Sequence, residues 1–338
     1  MPTFEDKVDF TVIIIAYDRR TFLKNSVESV LSQHFLRERY EIIVSRNFED
    51  SEIDEFLLKN NVKLILNTDP GIGQRLNECI LKSKGKIIAF LEDDDSWMRD
   101  RLSIVFEVFS REDRLGYYHN AYLAVNEKME LRKDWIHHTN IKKTTHISGD
   151  GSYKNILPKI MRFSPEFNIS SICISKELAT RMVGKLPKLS MAIDLYFFLF
   201  ALSCNSNLYI DERKLTKYMV HESNMNKAGN FHQFLLSSLK TYSENRESIE
   251  TLTKLIDNDY LRSIARSYLA EWEVRLCILR GSDCRITLLR TIFSEVKLFF
   301  LKRNYSKYFF LIGAVAIVLP KIVRHGYYFY LKYSLLKY

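Results

Sequence analysis

Glycine and proline are scarce, with 11 Gly and 6 Pro among 338 residues, so long flexible linkers are not expected. No internal repeat or low-complexity tract interrupts the chain. The five cysteines, Cys79, Cys173, Cys204, Cys277 and Cys284, include no Cys-x-x-Cys pair. The first residues, Met-Pro-Thr-Phe-Glu-Asp, lack a basic stretch followed by an apolar leader; together these features point to a reducing, cytosolic setting. Long hydrophobic runs are missing too. The nearest to a spanning segment is Tyr308 to Leu319, 12 residues against the roughly 18 to 20 that a membrane helix needs. It reads as a buried helix or a segment lying in a membrane interface.

What is present is ordinary globular composition, 46% hydrophobic and 27% charged, which rules out disorder. The net charge of +9 is uneven. Beyond Cys284 there are ten Lys or Arg against the single acid Glu295, so the preceding body is neutral. A basic nucleic-acid-binding surface over the whole protein is thereby excluded, and the charge belongs to a C-terminal appendage.

The first 110 residues alternate strand-like and helix-like segments, which predicts an α/β fold: a mostly parallel sheet sandwiched by helices. Strands are expected at Phe10–Ala16, Tyr40–Val44, Val62–Leu66 and Lys86–Leu91, with helices at Thr21–Gln33, Ile53–Lys59, Gly73–Ser83 and Arg99–Phe109. Such a series binds ligands at the carboxyl ends of its strands. The pattern then loosens, with strands expected at Gly116–Val125, Ile169–Ile174, Asn207–Asp211 and Leu215–Val220, and a helix at Met191–Ser203. After His232 it becomes helical through Leu235–Asn245, Ile249–Ile256, Tyr260–Leu279 and Thr287–Leu301. Two domains are expected: a catalytic domain over 1–230, and a helical region over 231–338 whose segments from about 285 are basic and aromatic.

The sharpest local feature is Glu92-Asp93-Asp94-Asp95 directly after an apolar strand. Four neighbouring carboxylates raise one another's pKa, and burial adds to the strain. A divalent cation, Mg²⁺ or Mn²⁺, removes that conflict; the competing account is a solvated acidic turn leading into the next helix.

The stretch from Asn67 to Trp97 resembles the family 2 glycosyltransferases of GT-A fold through Gly73, Arg75, Asn77, Ser83, Gly85 and the acidic run. Ala16-Tyr17-Asp18-Arg19 after the first strand and Ser29-Val30-Leu31-Ser32-Gln33 agree with the same family. The resemblance is good over about 10 to 110 and weaker to about 225. It implies transfer of a sugar from a nucleotide-diphosphate sugar, with Ala16, Tyr17, Asp18, Arg19, Asn47, Arg75, Asn77, Glu92, Asp93 and Ser171 at the nucleotide-sugar and Asp94 on a divalent metal. Two positions depart from the family. Ser45-Arg46-Asn47-Phe48 stands where relatives carry the Asp-Asp-Gly-Ser that reads the base, and Glu92 replaces the first Asp of the acidic motif.

Transfer also needs a base for the acceptor hydroxyl. The resemblance places it at Asp194, at the head of an apolar helix, where desolvation suits a general base; a helix N-terminal Asp stabilised by the macrodipole is the plainer account. His221 resembles a late family His that touches metal or diphosphate, and is otherwise a structural histidine. Ser170 and Ser171 match a small pair lining the donor pocket. His119, His137, His138 and His146 fit no compact metal motif and read as part of a mobile acceptor loop.

From Phe299 to Tyr338 there are 12 Phe or Tyr in 40 residues, interleaved with basic side chains. That combination suits a lipid headgroup region. It predicts a peripheral, monotopic protein on the cytosolic face of the cell membrane, held to an anionic surface; a homo-oligomer or protein interface is the rival. Nucleic acid is not expected as a partner. The expected partners are a nucleotide-sugar donor and a glycan or lipid-linked acceptor, and the expected chemistry is inverting transfer. The alternatives are a non-catalytic membrane scaffold and a sugar-phosphate nucleotidyltransferase; the latter would want a Gly-rich loop where Ala16-Tyr17-Asp18-Arg19-Arg20 has no glycine.

Overall fold

Phe10–Ile15, continuously apolar apart from Thr11, forms β1 at the heart of a sheet, every residue buried. The computed structural model describes residues 8–132, 140–220, 231–284, 286–291 and 304–336. Parallel to β1 lie β2 (Tyr40–Arg46) on one side and β4 (Ile87–Glu92) on the other, and β3 (Lys63–Leu66) closes the edge beyond β2. At that edge only Ile65 of β3 is buried, as expected of a strand with one neighbour. Helices α1 (Leu23–Leu31), α2 (Ser51–Lys59) and α3 (Ile72–Lys82) connect these strands in turn, and α4 (Arg101–Arg111) comes after β4. Leu23, Val27 and Val30 of α1 and Leu102, Val105 and Val108 of α4 pack into one apolar core with β1, β2 and β4.

The sheet continues with antiparallel and parallel neighbours. It has nine strands in the order β3-β2-β1-β4-β8-β6-β9-β5, and β7 also pairs with β9. The added strands are β5 (Ser96–Trp97), β6 (Leu115–Val125), β7 (Thr145–Ile147), β8 (Ile172–Ser175) and β9 (Asn207–Met219). Ile169–Ser171, expected as the start of a strand, is a 3-10 turn ahead of β8. The two strands expected over 207–220 are one, because β9 stays paired with β6 through register shifts near Asn120 and Ala121. Helices α5 (Tyr153–Ile160) and α6 (Lys176–Met182) precede α7 (Ile193–Ser203). Nine of the 11 residues of α7 are buried, so it is apolar all round, and Phe197 and Phe198 meet Phe90 and Tyr117.

Two compact units divide the chain. The first holds the described residues up to Ile156 with Phe163–Val220; the second holds Leu157–Arg162 and the described residues after Val220. In the second, α8 (Phe231–Leu255) and α9 (Asp259–Arg280) pack through Tyr242 against Trp272, while Arg246 pairs with Glu273 at 2.7 Å. Two further helices follow, Asn304–Val318 and Pro320–Leu336. Ala316, Tyr327 and Tyr328 join the α8–α9 core, and the Tyr242 and Tyr327 hydroxyls lie 3.0 Å apart. Pro320 is the first residue of the second of these helices, a position that its fixed φ and missing N–H favour. Among the described residues, no helix is long and apolar enough to cross a membrane. Most of the helix expected at Thr287–Leu301 lies outside the described residues.

Candidate active site

Glu92 ends β4, and Asp93, Asp94 and Asp95 form the turn from it to β5, at the carboxyl end of the sheet's central strands. Asp93, Asp94 and Asp95 are 0%, 6% and 1% exposed, so the turn is not a solvated one. Three features hold it. The Ser26 hydroxyl lies 2.7 Å from the carbonyls of both Asp93 and Asp95. Asp95 Oδ1 accepts from the backbone N–H of Met219 at 2.8 Å, and the N–H of Glu92 donates to Ser170 Oγ at 3.0 Å. Gln33 spans the next turn, donating to the Met98 carbonyl and accepting from the Leu102 N–H, which gives the Ser-x-x-x-Gln stretch a bracing role.

Burial pushes Glu92 and Asp95 well above the usual carboxylate range, and their neighbour Asp94 adds to the shift. Asp93 is pushed up to about 7 by burial, against the pull of Arg19. Arg19 contacts Asp93 and Asp94 at 2.5 Å each. Burial works against the Arg19 charge, but Asp94, Asp93 and Glu92 outweigh it and hold the guanidinium above its ordinary range. One arginine does not balance four carboxyls. Glu92, Asp94 and Asp95 each offer an oxygen, all within 4.8 Å of one another, and Asp95 Oδ2 is buried with no hydrogen-bond partner. Converging hard oxygens with an excess of negative charge fit a divalent cation such as Mg²⁺ or Mn²⁺.

Around this cluster stand several of the residues expected at a nucleotide-sugar. Arg75 Nη1 donates to the Ala16 carbonyl at 2.8 Å, and its guanidinium lies over the Tyr17 ring at 4.9 Å. Asp18, at a positive φ of 56°, and Asn47 exchange two hydrogen bonds of 2.8 and 2.7 Å. Arg46 is buried, pairs with Asp54 and lies 5.2 Å from the Phe48 ring. Two expected residues have other surroundings. Asn77 accepts from the Gly184 N–H at 2.9 Å and so holds the loop leading to α7, while Ser170 rather than Ser171 makes the bond to Glu92. Gly73 serves that loop too, since a Cβ there would sit 2.0 Å from the Leu186 carbonyl oxygen.

Asp194 stands in the first turn of α7, after Ala192 at a left-handed φ of 58°. Burial raises its carboxyl to about 6, while the backbone N–H groups of Leu195, 2.8 Å from Oδ1, and Asn168 favour the charged form. A cavity of about 210 Å³ is lined by Asp194 and Glu92 together with Ile72, Phe167, Met191 and Tyr218, among others. The base candidate and the first acid of the cluster thus face one space. A larger cavity, about 770 Å³, reaches Asp94 and Asp95 from the side of Trp97, Met98 and Lys217.

The histidines do not form one loop. His119 is buried in β6, and His146 lies in β7 beside Glu112, 3.2 Å away. His137, His138 and His221, the last expected near the metal, lie outside the described residues. Ser26 and Asn168 carry part of the site's architecture without having been singled out, because they act through a hydroxyl or a backbone group. Asp95, the last acid of the run, and Ser170, one of the small pair, were both marked in the sequence.

A family model described as Glycosyl transferase family 2 matches residues 11–175. An uncharacterized glycosyltransferase of Rickettsia bellii is 28% identical over 160 residues, 46% of this chain and 21% of its own. The minor teichoic acid biosynthesis protein GgaA of Bacillus subtilis is 29% identical over 112 residues, 30% of this chain and 24% of its own. The chain thus spans less than a quarter of the length of these curated relatives. Among solved structures, S. aureus TarS 1-349 in complex with UDP-GlcNAc aligns over 95% of this chain and 91% of that chain, with a TM-score of 0.58 and 12% identity. A longer TarS structure is 55% covered. Mannosyltransferase PcManGT from Pyrobaculum calidifontis, in complex with GDP-Man and Mn²⁺, aligns over 98% and 85%, with a TM-score of 0.51 and 13% identity. At these identities the likeness to both is one of fold.

Proposed function

Residues 11–175 belong to glycosyl transferase family 2, and from that premise we propose that the protein is a metal-dependent, inverting glycosyltransferase that moves a sugar from a nucleotide-diphosphate sugar to a hydroxyl or lipid-phosphate acceptor at a membrane. The observation that carries this reading is the single cavity faced by both Glu92 and Asp194. A divalent ion held by Asp94 with Glu92 and Asp95 would supply neutralisation of the donor diphosphate. Arg19 adds a fixed positive charge beside the same acids. Ala16, Tyr17, Asp18 and Asn47, with Arg75 behind them, form the wall for the nucleotide. Asp194 takes the proton of the acceptor hydroxyl; the oxygen bonds to the anomeric carbon as the bond to the diphosphate breaks on the opposite face, inverting the configuration.

The donors bound in the two structural relatives carry different bases, UDP-GlcNAc in TarS and GDP-Man in PcManGT. Because Ser45-Arg46-Asn47-Phe48 departs from the stretch with which the family reads the base, both classes belong in the test. Thermal shift with a panel of UDP- and GDP-sugars, with and without Mn²⁺, is expected to give metal-dependent stabilisation by one donor, lost in Asp94→Ala. Silence across the panel would favour the non-catalytic scaffold.

The membrane part of the reading rests on the last two helices. Leu311, Val315, Val318, Leu319, Ile322 and Phe329 are exposed, at spacings that carry one apolar stripe from the first helix into the second. The surrounding chain is basic, which suits an anionic leaflet.

A further inference from the structure

We propose that Ser26 is a positioning residue for the metal-binding acids, and that α1 acts through it as the template on which the acid turn is set. The inference rests on the reading of Glu92, Asp94 and Asp95 as holders of a divalent cation.

The polar residues of α1 fall at a helical spacing. Ser26, Ser29 and, just past the helix end, Gln33 follow one another by three and four positions, which places them along one face. Each meets the backbone of the segment that carries the acids into α4. The Ser26 hydroxyl lies 2.7 Å from the carbonyl oxygens of Asp93 and Asp95. Ser29 Oγ accepts from the Trp97 N–H at 3.2 Å and donates to the Ser26 carbonyl at 2.7 Å. Gln33 donates to the Met98 carbonyl at 2.8 Å and accepts from the Leu102 N–H at 2.9 Å. The three contacts advance in step along both chains, so the helix fixes the path of the backbone from Asp93 to Leu102.

Ser26 is the member of this series that touches the acids. Its hydroxyl has one hydrogen and two carbonyl oxygens at the same distance, so the proton is shared between them. Glu92 to Asp95 form a tight turn, with the Asp95 N–H donating to the Glu92 carbonyl at 3.3 Å. The Asp93 carbonyl belongs to the planar peptide that leads into Asp94, and the Asp95 carbonyl to the one that leads out of the turn. A hydroxyl that holds both planes therefore sets the directions in which the Asp94 and Asp95 side chains leave the backbone. Ser26, Asp93 and Asp95 are all buried, so without the hydroxyl two carbonyls lose a donor in a place closed to solvent. They regain one only by turning, and the carboxylates turn with them. Mg²⁺ demands near-ideal octahedral geometry, so displaced ligands cost affinity.

The test is Mn²⁺ binding to the full-length protein, read from the electron paramagnetic resonance of the free ion with and without UDP or GDP, with Asp94→Ala marking loss of the site. Ser26→Ala is expected to weaken Mn²⁺ binding by about tenfold or more. Ser26→Cys, whose thiol is a weaker donor, is expected to fall between Ser26→Ala and the wild type. Val27→Ala, an apolar truncation at the next buried position of α1, is expected to lower the urea midpoint yet keep the wild-type Mn²⁺ affinity. Equal loss of affinity in Val27→Ala and Ser26→Ala would mark a merely structural role and overturn the proposal, as would wild-type affinity in Ser26→Ala. If Ser26→Ala does not fold, Ser26→Cys decides, and wild-type affinity there overturns the proposal. A wild type that binds Mn²⁺ no better than Asp94→Ala would sink the metal reading and this proposal with it, whereas tight wild-type binding that the Ser26 variants leave unchanged sinks the positioning role alone.

Discussion

Asp194 carries two opposed influences: burial raises its carboxyl to about 6, and the N–H groups of Leu195 and Asn168 restrain that rise. A base must be ionised, so the transfer rate is expected to climb with pH through a midpoint near 6, and a rate independent of pH from 4.5 to 8 would speak against it. Stability follows the opposite sense. A carboxyl whose folded pKa exceeds its unfolded value supports the fold while protonated, and this contribution is lost as pH rises from about 4 through about 6. Asp194→Asn is therefore expected to lower kcat by about 10²- to 10⁴-fold while leaving the fold at pH 7 as stable or about 1–3 kcal/mol more stable by urea unfolding. A variant weakened in both respects would mark Asp194 as structural. An acid opening an apolar helix was legible as a candidate in the sequence. Asn168 was not, because it acts through a backbone N–H that any residue but proline could supply, and His119 was misread because its burial in β6 depends on distant partners.

Among the elements, those with unbroken patterns were the legible ones: β1, β2 and β4, and the helices between them, lie within a few residues of expectation. Segments whose shape depends on a neighbour were not. β5 and β7 are two and three residues long and exist only by pairing with β9, and the exposed Glu212-Arg213-Lys214 interrupts the alternation of β9, so one strand read as two. Gly73 shows why a motif glycine can be structural: its α-carbon approaches the loop that leads to α7. Gly73→Ala is expected to destabilise the first unit by about 2 kcal/mol or more and to lower donor binding as well, measured by urea unfolding and thermal shift. A neutral effect would mean the loop yields easily. On the last two helices, Val318→Asp with Ile322→Asp is expected to abolish co-flotation with vesicles containing phosphatidylserine and to leave urea unfolding nearly unchanged. Flotation unaffected by the two acids would remove the stripe from the membrane reading.

For the molecule as a whole, the chain's charge and its chemistry are kept apart. The excess of basic residues lies beyond Cys284, and the body that precedes it is neutral while burying a run of acids. The first of those acids, Glu92, faces a cavity shared with Asp194, which is the geometry the proposed transfer needs. The family and its sheet were legible from motifs confined to the first third of the chain. The acceptor was not, because it is read by surfaces with no recurring pattern. The central claim is that Glu92 to Asp95 and Asp194 form one site for sugar transfer. The most direct measurement is nucleoside-diphosphate release from the UDP- and GDP-sugar panel with Mn²⁺, comparing wild type with Asp194→Asn. The account predicts one donor turned over by the wild type, with release at least about 100-fold slower in Asp194→Asn although that donor still stabilises the variant. Equal release by the two proteins, or none from any donor by the wild type, would contradict it.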